Sequence, residues 1–355
     1  MSRRSAIRRA ALAAAAGAAL LTAACTGSSS GPAAGTTGPA PKTPSPTGPA
    51  SAVSHHTSTA HDPFTGEGPV PNNPVIAVKI DDTAPGRPQV GIDKADVVYI
   101  EAAEGGLTRL AAVFASHLPT VGYVRSTRPS DPDLLLQYGK ITEAYSGGAH
   151  DSLPRIHRSG ITSWDMDTGA AYYHRVNRAE SDYINVELNL AQVAKHVRSA
   201  KPRSIGWTFS PSLEGLPSTK ATDIRTTVTG SYNTGTPVEF RYDPKLHAYV
   251  RYIDGQRQKA ADGKPVTATN VIVQYCVIHP HPQDTDINGN PSQFTVTVGS
   301  GKVLVFRQGR EVSGTWTRKK LSDGTTLRTA KGTRIPLAPG NTWVVLDRRG
   351  IPTRT

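Results

Sequence analysis

Charged side chains gather where predicted strands end, and their types suit anion binding or acid–base chemistry. Asp81 and Glu101 end two predicted strands, and Glu104 follows beside Gly105-Gly106. Ligand sites in α/β sheets form where loops leave strand ends, because side chains from neighbouring strands meet there. We therefore predict one ligand-binding site from these residues: Asp81, Glu101, Glu104, Arg109, Arg125, Ser126, Arg128 and His150.

The arginines favour a binding cleft. The planar guanidinium groups of Arg109, Arg125 and Arg128 are suited to hold a carboxylate or phosphate in two-point contact. The glycines beside Glu104 let backbone N–H groups approach a ligand. An anionic wall fragment, a lipid headgroup or a peptide carboxyl terminus fits such a cleft.

Two alternatives use the same residues. In a cell-wall glycan hydrolase, Glu101 and Glu104 divide the acid and base roles, or His150 acts as the base. In a purely structural cluster, the carboxylates pair with the arginines and fix the loops. From residue 62 onward, in the part of the chain predicted to fold, there is no Gly-x-Ser-x-Gly nucleophile motif. No catalytic residue is assigned, and a binding module is favoured over an enzyme.

In the first half of the chain, the sequence predicts strands and helices that position these residues. Apolar runs predict three strands, at residues 75–80, 96–101 and 107–115. A polar cap and helical spacing of apolar residues predict two helices, at 131–138 and 185–198, the second with Asn185 as its N-cap.

The second half is predicted to be rich in strands, with little helix. Six segments bounded by Gly, Asp or Asn turns read as strands: 238–242, 249–252, 270–278, 293–298, 302–306 and 342–346. The pattern changes after Pro217, which predicts an N-terminal domain over 62–217 and a C-terminal domain over 218–355.

Residues 1–25 have the form of a bacterial lipoprotein signal peptide. Four arginines precede an uncharged run over residues 10–24, shorter than the roughly 20 residues of a membrane span. Leu21-Thr22-Ala23-Ala24-Cys25 resembles a lipobox, in which Cys25 is lipidated and becomes the new N-terminus. Residues 26–61 are rich in Gly, Ser, Thr, Ala and Pro, which predicts a disordered tether. We therefore predict a lipid anchor in the cell membrane, with the chain on its extracytoplasmic face.

The net charge of the chain limits the classes of partner that it is expected to bind. Removing the four signal arginines from the formal charge of +12 leaves +8 on the mature chain. A basic extracytoplasmic surface suits anionic wall polymers and lipid headgroups. The predicted location excludes nucleic acid as a partner. Cys276 is the only other cysteine, so lipidation of Cys25 leaves no pair for an intramolecular disulfide.

One segment has metal-ligand residue types, although we predict no metal and no cofactor. Cys276, His279 and His281 are closely spaced, and the proline after each histidine favours extended backbone, which points both imidazoles the same way. Residues 284–289 match the first half of an EF-hand calcium loop, but Thr295 stands where that loop has Glu. Calcium binding there stays an open alternative to a turn between strands.

Several longer motifs carry a family resemblance: Asp81-Asp82, Arg87-Pro88-Gln89, 95–99, 104–109, 125–129, 270–274, Gly314-Thr315-Trp316 and 339–343. Together they resemble the YerB-like lipoprotein family, domain of unknown function family 3048. The resemblance implies an α/β (α+β) fold, in which a layered sheet-and-helix sandwich domain precedes a smaller β-rich domain. It also implies a lipid anchor and no known reaction. The segment 279–282, His-Pro-His-Pro, departs from the family pattern.

These observations predict a membrane-anchored extracytoplasmic lipoprotein. Its predicted task is to bind an anionic cell-envelope component or a partner protein. A glycan hydrolase using Glu101 or Glu104 is one alternative. The other is an assembly scaffold without a small ligand, which recognises secreted proteins through its β-rich domain.

Overall fold

The structure is a computed structural model that describes residues 61–348, 350 and 353–355. The predicted signal peptide, Cys25 and residues 26–60 of the predicted tether lie outside the described residues. Within the described part of the chain, no helix is both long enough and apolar enough to cross a membrane.

The first half of the described chain alternates short strands and helices. Its strands are β1 (Ile76–Asp81), β2 (Val97–Ala102), β3 (Thr108–Phe114), β4 (Thr120–Gly122), β5 (Thr142–Tyr145), β6 (Thr162–Asp165), β7 (Tyr173–Arg175) and β8 (Val186–Asn189). Its α-helices are α1 (Asp131–Leu135), α2 (Ser152–Ser159) and α3 (Leu190–Val193). Its 3-10 turns are Ala84–Gly86, Ile92–Lys94, Glu104–Gly106, Leu136–Tyr138 and Ala170–Tyr172.

The second half consists of strands, and its described residues include no helix. The strands are β9 (Thr219–Lys220), β10 (Asp223–Val228), β11 (Thr236–Asp243), β12 (Ala248–Ile253), β13 (Gln256–Arg257), β14 (Thr267–Ala268), β15 (Asn270–Thr285), β16 (Pro291–Val296), β17 (Gly299–Arg307), β18 (Arg310–Arg318), β19 (Thr326–Arg328) and β20 (Thr342–Arg348). The prediction of a β-rich second half is confirmed.

A twelve-stranded sheet takes strands from both halves of the chain. Its order is β19-β18-β17-β15-β20-β2-β3-β1-β5-β6, with β16 added to β15 and β9 added to β18. Strands β1, β5 and β6 are parallel, β20 is parallel to β2 and β15, and β3 runs antiparallel between β1 and β2. The carboxyl ends of β1, β2 and β5 therefore lie at one edge of the sheet, where the start of β3 also lies.

The central strands carry the hydrophobic core. Every residue of β1, β2 and β3 is buried, which is why their sequences are continuous apolar runs rather than alternating ones. A five-stranded sheet, β10-β11-β12-β13 with β14 on β12, and a three-stranded sheet, β4-β8-β7, complete the fold. Trp316 and Trp343 are both 1% exposed, so these indoles fill the core.

The predicted α/β class holds only in a loose sense, because the protein is mainly β. Helix α1 and the 3-10 turn that follows confirm the predicted helix over 131–138. The predicted helix over 185–198 is wrong. Its first part is strand β8, which pairs with β4 and β7, and only the four residues of α3 are helical, capped by Asn189 rather than Asn185. Val186 and Leu188 alternate with Glu187, and neighbouring strands stabilise that two-residue period.

Candidate functional site

Charged side chains of three neighbouring strands lie at the carboxyl edge of the large sheet. Arg109 on β3 lies opposite Asp81 on β1 and opposite Glu101 on β2. Arg125 and Arg128 reach the same edge from the loop that precedes α1. The sheet order therefore brings charges of both signs together.

Five of these residues form a group that we call the arginine site: Asp81, Glu104, Arg109, Arg125 and Arg128. Arg128 Nη2 lies 2.7 Å from Glu104 Oε2. Asp81 Oδ2 lies 3.2 Å from Arg125 Nε and 3.8 Å from Arg109 Nη1. Three guanidinium groups therefore share two carboxylates, and the site has a surplus of positive charge.

Some arginine donors in the site are unused. The buried Nε atoms of Arg109 and Arg128 have no hydrogen-bond acceptor among the described residues. Burial, and then the nearby Arg128 cation, lower the pKa of Arg109 to about 10. An anion placed among the arginines would stabilise the Arg109 cation and accept its free hydrogen bonds.

Hydrogen bonds from neighbouring residues fix the two carboxylates of the arginine site. Asp81 Oδ1 accepts a hydrogen bond from the Thr83 backbone N–H at 2.7 Å. Glu104 Oε1 accepts one from Ser292 Oγ at 2.6 Å, which ties the site to strand β16. Glu104 opens a turn in which Gly105 and Gly106 have positive φ angles of 63° and 77°, a backbone that glycine adopts readily.

Gly86→Ala is expected to displace Asp81. A Cβ atom at Gly86 would lie 2.3 Å from Asp81 Oδ1, so the aspartate or the turn must move. Overpacking of this kind costs about 1–3 kcal/mol. Chemical denaturation should show that loss, whereas Ala84→Ser, at an exposed position of the same turn, should change stability by less than about 0.5 kcal/mol. Equal stability of the two variants would contradict the packing argument.

Glu101 belongs to a second group, which we call the buried cluster: Lys79, Glu101, Asp131 and Glu143. Lys79 Nζ lies 2.9 Å from Glu101 Oε2 and 3.0 Å from Asp131 Oδ1. Glu143 joins through Thr127, whose hydroxyl lies 2.9 Å from Glu143 Oε1 and 3.1 Å from Asp131 Oδ2. All four residues are 2% exposed or less. The prediction that Glu101 belongs with the arginines therefore needs correction, since its partner is Lys79.

The buried cluster holds three carboxyl groups and one ammonium, so some carboxyls keep their protons. Burial, followed by the nearby Asp131 carboxylate, raises the pKa of Glu101 to about 8. The same two causes raise the pKa of Glu143 well above its usual range. Burial would raise the pKa of Asp131, but the Lys79 ammonium lowers it on balance. The charge pair is thus Lys79 with Asp131, and the glutamic acids are largely neutral at pH 7.

A further buried charge pair, Asp82 with Arg251, joins the twelve-stranded sheet to the five-stranded sheet. Arg251 on β12 donates to Asp82 Oδ2 at 2.8 Å, and Thr108 Oγ1 donates to the same oxygen at 2.7 Å. Asp82 and Arg251 are each 1% exposed. The Arg251 guanidinium also lies 5.1 Å from the ring centroid of Trp343.

The two remaining predicted site residues, Ser126 and His150, lie at the edge of the arginine site or outside it. Ser126 provides a backbone carbonyl that accepts from Arg128 Nη1 at 2.9 Å. His150 is exposed on the loop before α2 and makes no hydrogen bond or ion pair with the described residues of the arginine site. The structure therefore does not bring His150 into the cluster.

Sequence reasoning missed Lys79, Asp131, Glu143, Arg251 and Ser292. A signal was present for Lys79, because a lysine inside an otherwise apolar strand is buried and needs a charged partner. Arg251 and Ser292 lie 169 and 188 residues from their partners in sequence. Their spacing therefore carries no local signal.

The segment with metal-ligand residue types forms hydrogen bonds that hold the β15–β16 hairpin against the start of α2. Asp284 accepts hydrogen bonds from Ser152 N at 2.9 Å and from Ser152 Oγ at 2.5 Å, and His281 Nε2 lies 2.8 Å from Asp151 Oδ2. Asp286 accepts from two backbone N–H groups of its own turn, those of Asn288 and Asn290. Within the described residues, no group of three or more His, Cys, Asp or Glu is arranged to hold a metal ion.

Comparison with protein families decides the membership that the motifs suggest. The N-terminal domain of the family "Protein of unknown function (DUF3048)" matches residues 64–205, and its C-terminal domain matches residues 227–344. The chain belongs to this DUF3048 family. The arginine site and the buried cluster thus lie mainly in its N-terminal domain, while Arg251 and Ser292 come from its C-terminal domain.

Known relatives of this DUF3048 chain agree with the membership. It is 27% identical over 303 residues to the "Putative lipoprotein YerB" of Bacillus subtilis (strain 168), which covers 79% of this chain and 84% of that protein. A crystal structure of YerB from Bacillus subtilis matches with a TM-score of 0.68 at 23% identity, over 83% of this chain and 100% of the other. The structural match establishes the fold.

Proposed function

We propose that this protein is a lipid-anchored lipoprotein of the extracytoplasmic membrane face, which binds a phosphate- or carboxylate-bearing cell-envelope component at its arginine site. The Cys25 lipobox supports the anchor, as does similarity to a protein named as a lipoprotein. A tethered protein meets membrane and wall components at high effective concentration.

The surplus of guanidinium groups carries the proposal. Arg109, Arg125 and Arg128 face two carboxylates, and the Nε atoms of Arg109 and Arg128 have no acceptor among the described residues. The Arg125 side chain is 24% exposed, so a ligand has access to the site from solvent at Arg125.

The geometry favours binding over glycan hydrolysis. Burial would raise the pKa of Glu104, but the Arg128 cation and the Ser292 hydrogen bond lower it on balance. A general acid at neutral pH needs the opposite shift. Glu101 is 2% exposed and paired with Lys79, out of reach of a glycan chain.

Binding to isolated cell walls tests the proposal. We expect the purified protein to co-sediment with walls that keep their phosphate polymers, and to be released by high salt, which screens charge. Inorganic phosphate should compete. Charge-assisted hydrogen bonds contribute about 1.5–3 kcal/mol each, so Arg125→Ala/Arg128→Ala should weaken binding at least about tenfold.

A matched variant separates the site from net charge. Arg328→Ala/Arg334→Ala removes the same charge at two exposed arginines outside the arginine site and should bind like wild type. Equal weakening by both pairs would show diffuse attraction instead of a site. Undiminished binding to walls stripped of phosphate polymers, or by Arg125→Ala/Arg128→Ala, would overturn the proposal.

A further inference from the structure

The buried cluster contains an amine and carboxyl groups, which are able to react with each other as well as to form an ion pair. Lys79 is 0% exposed, and so is Asp131. The Lys79 Nζ atom lies 3.0 Å from Asp131 Oδ1, one bond from the carboxyl carbon. An amine fixed within hydrogen-bonding distance of a carboxyl oxygen also lies near the carboxyl carbon, and fixed proximity of two reacting groups accelerates their reaction by orders of magnitude.

Asp131 is the carboxyl group that its surroundings polarise. Its Oδ2 atom accepts the Arg128 backbone N–H at 2.6 Å. The Thr127 hydroxyl lies 3.1 Å from the same oxygen and shares its single proton between Asp131 Oδ2 and Glu143 Oε1. A fixed backbone donor with a hydroxyl beside it stabilises the negative charge that develops on Oδ2 when a nucleophile attacks the carbon. The other carboxyl beside Lys79 lacks this support, because Glu101 Oε1 has no partner in the described structure. The geometry therefore selects Asp131 as the electrophile.

Glu101 is placed to move protons between the two reacting groups. Its Oε2 atom lies 2.9 Å from Lys79 Nζ, and the same nitrogen lies 3.0 Å from Asp131 Oδ1, so Glu101 and Asp131 flank the amine. Burial keeps Glu101 largely protonated at neutral pH. A neutral carboxylic acid between an amine and a carboxyl group is able to donate a proton to one and accept a proton from the other.

We propose that Lys79 and Asp131 become joined by an intramolecular amide bond, with Glu101 as the acid–base group. The Lys79 ammonium first passes a proton to Asp131, which gives a free amine and a neutral carboxyl group. The amine nitrogen attacks Asp131 Cγ, and Oδ2 takes up the negative charge between Thr127 and Arg128. The protonated Glu101 gives its proton to Oδ1, which already carries the proton from Lys79, and takes the second proton of the nitrogen in its place. The C–O bond to Oδ1 breaks, one water leaves, and Glu101 ends neutral as it began. Neither oxidant nor reductant is required.

The buried setting favours the product. Ion pairing of Lys79 with Asp131 keeps two charges in a dry interior, at a substantial desolvation cost. The amide is neutral, and its oxygen keeps the two donors on Oδ2. The bond would link β1 to α1, two residues from Asp81 and three residues from Arg128. It would therefore brace two sides of the arginine site, although the inference does not depend on any ligand.

Mass spectrometry of the purified full chain tests the bond directly. Protease digestion should yield a branched peptide that joins the segments carrying Lys79 and Asp131, with a mass one water below their sum. Lys264 and Asp262 provide an internal control, because their charged atoms are 2.9 Å apart, against 3.0 Å for Lys79 and Asp131, but their side chains are 66% and 40% exposed. That exposed pair should give only linear peptides.

Variants test the amide bond and the acid–base role of Glu101 separately. Lys79→Met and Asp131→Ala should give no branched peptide. Glu101→Gln keeps the side-chain volume but loses the acid–base group, and should slow linkage at least about a hundredfold in freshly folded protein. Linkage of Glu101→Gln at the wild-type rate would overturn the role of Glu101. Linear peptides alone from folded wild-type protein would overturn the bond, whether or not the variants fold.

Discussion

Lys79→Met is expected to lower the free energy of unfolding by at least about 3 kcal/mol, because removal of one member of a buried charge group leaves its partners uncompensated. Methionine keeps the length and most of the volume of lysine, so the loss reports the missing charge and hydrogen bonds, or the missing amide where the linkage has formed, rather than a cavity. Lys79 Nζ lies within hydrogen-bonding distance of both Glu101 and Asp131. Urea denaturation of the wild type and the variant measures the difference.

The loss caused by Lys79→Met should also depend on pH. Without the ammonium, the pKa of buried Asp131 in the folded variant rises above its unfolded value of about 3.9. A raised folded pKa gives stability that is present at low pH and lost as the pH rises through it. The gap between wild type and variant should therefore be smallest near pH 4 and should widen toward pH 8.

An exposed lysine provides the control for this charge effect. Lys264→Met removes an ammonium whose side chain is 66% exposed, and such surface pairs contribute about 0–1 kcal/mol. If Lys79→Met were as mild as Lys264→Met at every pH, the buried cluster would not be a determinant of stability.

The sequence predicts the central strands well because burial on both faces leaves a plain apolar signature. Strands β1, β2 and β3 match their predicted segments to within a residue or so at each end. Strand β15 was predicted to end at Ile278 but continues to Thr285, and Pro280 pairs with Gln293 in a hairpin that extends past the main sheet. Proline is tolerated there because an edge strand leaves one side of its ladder open.

The candidate site is predictable only where strand ends define it. Asp81, Arg109 and Arg128 were found because they follow or begin predicted strands and loops. The distinction between the arginine site and the buried cluster was not predictable, since it depends on whether Glu101 turns toward Arg109 or toward Lys79. The position of α1 decides this, because it places Asp131 beside Lys79. Lys79 and Glu101 therefore lie in one group with Asp131.

Arg251→Met is expected to be about as costly as Lys79→Met, with a loss of about 3–5 kcal/mol in the free energy of unfolding. It leaves the Asp82 carboxylate buried at 1% exposure with the Thr108 hydroxyl as its remaining side-chain donor in the described structure. Burial would raise the pKa of Asp82, but Arg251 lowers it on balance in the wild type. The stability from this pair is therefore present above about pH 4 and lost as the pH falls through the folded pKa.

A double variant distinguishes an unpaired charge from a lost contact between the sheets. Asp82→Asn/Arg251→Met removes both charges, so it should recover part of the loss seen for Arg251→Met alone, with a coupling energy of about 1–3 kcal/mol. Arg257→Met breaks an exposed pair with Asp243 on the same five-stranded sheet and should cost less than about 1 kcal/mol. Additive losses in the double variant would mean that Arg251 stabilises the protein by packing on Trp343 and not through Asp82. Recovery would show that the buried charge pair couples the stability of the two sheets.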